Sequence, residues 1–145
     1  MLTQFSRTEL LLGKEAMDKL AASRVAVFGV GGVGGYVAEA LARSGVGNMV
    51  LTDNDCVSVS NINRQIIATR SSVGKYKVDV MKERILDINP KAEVETYKCF
   101  YLPENADAFD FTKYSYVVIM LSTVLIQLLP RLIWCLKRRK QEHQL

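Results

Sequence analysis

RVAVFGVGGVGGYVAEALARSGVG, residues 24–47, passes from an apolar stretch through five glycines into a segment with helical periodicity. Residues 25–30 are mostly apolar and β-branched and are bounded by glycine, which predicts a buried strand. Val37, Ala40 and Leu41 share one face of a helix expected from about Val33 to Ser44, with Gly45 as its C-terminal cap. Gly29, Gly31 and Gly34 satisfy G-x-G-x-x-G, and Gly32 and Gly35 add to it. In such a turn the first glycine lets the chain leave the strand sharply, the second lets backbone approach a phosphate, and the third lets helix and sheet pack closely. The helix N-terminus then offers unpaired N–H groups and a positive dipole end to an anion. These glycines suit ATP and a dinucleotide equally, and a bare turn without ligand is the bland reading.

The elements on either side fit the same plan. NMVLTD, residues 48–53, predicts a second strand ending at Asp53, an acid well placed to take two ribose hydroxyls. Residues 76–88 have a helical pattern closed by Asn89 and Pro90, residues 92–100 read as a third strand, and residues 114–121 begin as a fourth. Leu10, Leu11, Ala16, Met17 and Leu20 predict short helices over residues 7–22. The order is that of an α/β fold, a Rossmann-like, mostly parallel sheet with flanking helices, here expected to be incomplete at the C-terminus.

Composition narrows the class. A chain of 145 residues can bury one domain's core, and 49% hydrophobic with 23% charged residues suits an ordinary globular protein. Of the net charge of +4, the run Lys137, Arg138, Arg139 and Lys140 less Glu142 supplies +3, so residues 1–136 are nearly neutral. They carry no obvious basic face for nucleic acid. Cys56, Cys99 and Cys135 are isolated, which argues against a disulfide framework or zinc ribbon and suits a reducing cytoplasm. MLTQFSRTELLLG lacks the basic start and long apolar core of a signal peptide, so a cytoplasmic location is expected.

DNDCVSVSNINRQIIATRSSVGKYK, residues 53–77, separates the nucleotide readings. A dehydrogenase needs no Asn-x-Asn-Arg and Val-Gly-Lys-x-Lys directly after its ribose acid. An enzyme attacking the α-phosphate of ATP does, because negative charge grows on phosphorus and pyrophosphate leaves. Arg64 can fork onto phosphate oxygens, Lys77 supplies a compact charge, and Asn61 and Asn63 can hydrogen-bond phosphate or ribose. The bland alternative makes Arg64 and Lys77 solvated surface charges.

GVGGVG, LTDND, SNINRQ and VGKYKVDVMKERILDINP, in that order, resemble the ThiF/MoeB/HesA family of adenylating enzymes, relatives of the ubiquitin-activating enzymes. Residues 7–47 and NINRQIIATRSSVGKYK look most like its bacterial tRNA threonylcarbamoyladenosine dehydratase branch. The resemblance covers roughly residues 7–118. It implies a homodimeric fold in which ATP and Mg2+ activate a carboxylate as an acyl-adenylate. In that branch the carboxylate belongs to a tRNA carrying threonylcarbamoyladenosine, and activation allows ring closure with loss of AMP. Carried over by position, Gly29, Gly31, Gly32 and Gly34 hold the nucleotide's phosphates, Asp53 its ribose, and Asp55 joins the cofactor-binding set. Asn61, Asn63 and Arg64 contact the nucleotide, and Lys77 meets the phosphates. Arg7 matches an arginine that family dimers send into the neighbouring ATP site, so Arg64, Lys77 and Arg7 are the expected catalytic residues. No catalytic Ser or His is needed, because the substrate carboxylate is the nucleophile; His143 is a bystander.

The resemblance breaks near the C-terminus. Family members read roughly YSYVVDAIDTV where this chain reads YSYVVIMLSTV, which puts Ile119 and Ser122 at the two aspartate positions. The second aspartate helps hold magnesium, and a serine hydroxyl replaces it poorly, so an incomplete magnesium site with no metal ligand from this chain is expected. Residues 1–118 are thus expected to form an ATP-binding adenylation domain and residues 119–145 an atypical apolar, then basic, tail. Pro130 and Arg131 interrupt that tail before membrane-spanning length. A shifted reading frame accounts for it: GAT GCT ATC GAC, one coding of DAID, read one base later gives Met-Leu-Ser-Thr, residues 120–123. The chain is then expected to be truncated and catalytically impaired. Rival functions are adenylation of a ubiquitin-like sulfur carrier with sulfur-transfer partners, a nucleotide-binding module without turnover, and a NAD-dependent dehydrogenase.

Overall fold

The computed structural model describes residues 3–120. The expectations for Ser122, the tail beyond residue 120, Cys135 and His143 lie outside the described residues. Two short helices, α1 (Ser6–Leu12) and α2 (Lys14–Ala22), are separated by Gly13 at φ 80°. They lead into β1 (Arg24–Phe28), α3 (Gly34–Ser44), β2 (Asn48–Thr52), α4 (Lys77–Ile88), β3 (Glu93–Tyr97) and β4 (Tyr116–Ile119). The four strands form one parallel sheet in the order β3-β2-β1-β4, which is the expected Rossmann-like α/β arrangement.

Alternation along the two inner strands builds two cores, one on each face of the sheet. Val25 and Val27 of β1 join Met49 and Leu51 of β2 beneath α3 and α4, packed against Ala38, Ala42, Val78, Met81 and Ile85. Ala26, Phe28 and Val50 point the other way, into a cluster with Tyr101, Phe109 and Tyr114. This second face is covered by 3-10 turns at Pro103–Ala108 and Phe111–Lys113 rather than by a long helix. Phe28 meets Tyr101 and Phe109 edge-on, with ring centroids 5.4 and 5.3 Å away. A strand buried on both faces reads as an unbroken apolar run, which is why residues 25–28 show no polar alternation.

Two features fix α3 on the sheet. A Cβ added at Gly34 would lie 1.8 Å from the Gly29 carbonyl oxygen, so only glycine allows this helix–turn approach. The other is Glu39, buried on α3, which accepts hydrogen bonds from Arg43 on its own helix and Arg84 on α4. The Arg84 hydrogen bond, opposed by burial and assisted by Arg43, holds the Glu39 carboxyl below the usual glutamate range. Gly45 ends α3 in the left-handed conformation at φ 94°, as its sequence position predicts.

Among the described residues no helix is long and apolar enough to cross a membrane.

Two outcomes are expected. Gly34→Ala costs at least about 3 kcal/mol in urea unfolding, because backbone rather than a flexible side chain must yield. Glu39 adds stability above its unfolded-state pKa, and this is lost as pH falls through its lower folded value. Glu39→Gln therefore reduces the Tm difference between pH 7 and pH 3 relative to the parent chain.

Candidate functional site

The glycine turn lies where β1 ends, beside the end of β2, at the carboxyl edge of the parallel strands where α/β folds bind ligands. Gly29 adopts φ 94° and its N–H donates to the Thr52 carbonyl at 2.7 Å, so the chain leaves β1 still tied to β2. The requirement at Gly31 is different. A Cβ there would meet no described atom closer than Gln65 Nε2 at 3.9 Å, so protein packing alone does not demand glycine. The space beside Gly31 suits the close approach of a phosphate.

Asp53 is buried directly after β2, and both its oxygens face backbone amides. Oδ2 accepts from Val30 N–H at 2.7 Å, inside the glycine turn, and Oδ1 accepts from Asp55 N–H at 2.8 Å. Asp55 in turn receives Lys77. The Lys77 ammonium reaches Asp55 Oδ2 at 2.6 Å, and Lys77 N–H donates to the Asp55 carbonyl at 3.0 Å. Lys77 is only 5% exposed, so this ion pair neutralises a cation that burial would otherwise penalise. The turn, the end of β2 and the start of α4 thus share one polar chain.

Arg64 joins from the other side. Its carbonyl oxygen and Cγ lie 3.8 and 3.9 Å from the Cβ position of Gly32. Its exposed guanidinium is steadied by Nη1–H bonds to the Ser60 carbonyl at 2.8 Å and Asn63 Oδ1 at 2.9 Å. Asn63 therefore props Arg64. Asn61 is buried and folds its own loop, with Oδ1 accepting from Ser58 N–H at 3.0 Å and its carbonyl accepting from the amides of Arg64 and Gln65.

Arg7 stands apart. It is exposed on α1, and the neighbouring Phe5 packs toward Gly45, at the opposite end of β2 from Asp53. Within one chain it does not join the other residues. Ile119 ends β4 and packs into the aromatic face of the sheet rather than offering a carboxylate. Among the described residues no group of three or more His, Cys, Asp or Glu side chains is arranged to hold a metal ion.

Sequence reasoning passed over Gln65. It is buried beside Gly31, and its Oε1 has no hydrogen-bond partner among the described residues. A buried amide oxygen gains from any hydrogen-bond donor that reaches it. Its position next to Arg64 in NRQ was the available signal.

Comparison with known proteins agrees with the fold. The sequence profile of the ThiF family matches residues 5–140, running past the stretch its motifs cover. The chain belongs to the ThiF family. This ThiF chain is 51% identical over 140 residues to the tRNA threonylcarbamoyladenosine dehydratase of Bacillus subtilis, covering 95% of this chain and 54% of that protein. The crystal structure of the Escherichia coli tRNA N6-threonylcarbamoyladenosine dehydratase in complex with ATP superposes with a TM-score of 0.80 at 43% identity. That match covers 83% of this chain and 50% of the other. An adenylyltransferase and sulfurtransferase of Lodderomyces elongisporus is 39% identical over 95 residues, which are 66% of this chain and 20% of the relative. The ThiF chain therefore spans about half the length of the dehydratases it matches.

Asp53→Ala is expected to leave the buried Val30 amide without its acceptor, at a cost of about 1–3 kcal/mol. Amide hydrogen exchange should quicken at Val30 and Asp55 beyond the change at Ile85 in α4.

Proposed function

We propose that this chain is the nucleotide-binding part of an ATP-dependent tRNA threonylcarbamoyladenosine dehydratase. The observation that carries the reading is the convergence of Lys77, Asp55 and Asp53 on the glycine turn, with Arg64 beside Gly32. The relatives named for this activity, one of them crystallised with ATP, support the same choice.

In this reading Gly31 and Gly32 let the triphosphate approach backbone, and Gln65 adds an amide beside Gly31. Asp53 keeps the turn in shape and presents its remaining lone pairs to the ribose. Arg64 and Lys77 supply positive charge where the α-phosphorus gains an oxygen and the bond to the β-phosphate breaks. The threonylcarbamoyl carboxylate is the nucleophile, so its oxygen bonds to phosphorus while pyrophosphate departs. The acyl-adenylate then closes to the cyclic product with release of AMP. Positioning and charge, not a protein nucleophile, carry the first step. Magnesium would supply charge neutralisation on the triphosphate, and by the resemblance its protein ligand would fall at position 122, where this chain has Ser122 in place of aspartate.

A homodimer fits the separation of Arg7 from the other residues. A second copy would bring α1, with Leu10 and Leu11 86% and 87% exposed, against the first chain and deliver its Arg7 to that nucleotide. The cytoplasm, where tRNA is modified, is the location this activity requires. The sulfur-carrier reading has support in the Lodderomyces relative, and the acyl acceptor distinguishes the two.

ATP is expected to bind more tightly than NAD in a direct titration. Lys77→Ala and Arg64→Ala should each weaken ATP by about 10- to 100-fold, the loss of a hydrogen bond to a charged group, and leave adenosine within about threefold. Pyrophosphate exchange into ATP should require tRNA bearing threonylcarbamoyladenosine. Dependence on a small carrier protein would replace this reading with the sulfur-carrier one, and ATP binding without exchange would leave a binding module.

A further inference from the structure

Asp55 is not arranged like a ribose ligand. Its N–H is bound to Asp53 Oδ1 at 2.8 Å and its carbonyl to the Lys77 amide at 3.0 Å, so the root of its side chain is fixed from both directions. Its carboxylate, about half exposed, then turns back onto the Lys77 ammonium at 2.6 Å. Lys77 contacts Asp55 twice, once through backbone and once through its side-chain tip. A lysine side chain has four rotatable carbons and a large rotamer entropy, and this double attachment removes most of it before any ligand arrives. Among the described residues Asp55 is the one hydrogen-bond acceptor of this ammonium, which has three protons to donate.

We propose that Asp55 is a positioning residue that holds the Lys77 ammonium ready for the phosphates of a bound nucleotide. This rests on the nucleotide reading given above. Through Asp53 the same chain reaches Val30, so the amide edge of the glycine turn and the lysine charge are set by adjoining carboxylates. The arrangement puts the cation in place without charging the free protein, because Asp55 neutralises it. A phosphate then takes up the other ammonium protons without a rotamer search, which is preorganisation in the ordinary sense.

Three roles for Asp55 give different results in binding titrations with ATP and with adenosine on the whole chain. As a positioning residue, Asp55→Ala weakens ATP about 10-fold and leaves adenosine within about twofold, and Asp55→Asn, which keeps an oxygen acceptor, restores ATP to within about threefold. In a Lys77→Ala background the Asp55→Ala loss nearly vanishes. Equal weakening of ATP and adenosine would make Asp55 a ribose ligand and overturn the proposal. Unchanged or tighter ATP binding would make it a bystander or a competing anion, with the same consequence. A fully additive loss in the Lys77→Ala background would overturn it too. A nucleotide-free measurement separates this proposal from the function it rests on. The Lys77 ammonium signal in 15N spectra should be protected from solvent exchange in the parent chain and broadened in Asp55→Ala. Absence of that protection overturns the pairing whatever binds. Protection in a chain that binds neither ATP nor adenosine overturns the nucleotide reading and the phosphate role with it.

Discussion

A buried carboxylate at the end of the second strand holds the site together. Asp53 accepts one amide from the turn after β1 and one from the loop after β2, and so ties these two segments together through hydrogen bonds. In water each of those hydrogen bonds would exchange with solvent at little net gain. Inside the protein an unpaired amide or carboxylate costs far more, so the three groups constrain one another. The glycine turn therefore has a defined shape without a ligand. Lys77 extends the constraint to α4, because its charge can be buried only if Asp55 stays where Asp53 has put it.

This arrangement depends on the parallel sheet. Parallel strands end together at one edge, so turns far apart in sequence meet there. Gly31 lies in the turn after β1, Asp53 directly follows β2 and Lys77 opens α4; the first two are brought together because β1 and β2 pair in register from Arg24↔Asn48 to Phe28↔Thr52. The two cores fix that register, since a slip of one residue would exchange Val27 and Leu51 with Phe28 and Val50 between a helix-covered and an aromatic face. Stability and site geometry therefore have a common origin, although the residues that supply them differ.

Much of the architecture was legible in the chain itself. The elements found match those expected to within a few residues, because Gly13, Gly45 and Asn89 mark ends that local geometry imposes. The turn, the acid after β2 and the NINRQ and VGKYK segments pointed to ATP because charge and amide density there exceed what a linker needs. Gln65 escaped notice, since nothing local shows that its amide is buried beside Gly31. The different tasks of Asn61 and Asn63 also could not be read from an Asn-x-Asn pattern. One is buried and braces its own loop, and the other steadies Arg64 at the surface.

Sequence alone determined the α/β class and the glycine turn and supplied the set of residues proposed to meet a triphosphate, because periodicity, φ requirements and charge are properties of neighbours along the chain. Tertiary structure decided how those residues divide the work. Only folding brings Lys77 onto Asp55, 22 residues away, and only folding separates Arg7 from them by the length of a strand. Those relations depend on distances between segments far apart in sequence, which strand pairing and burial set and no local pattern encodes.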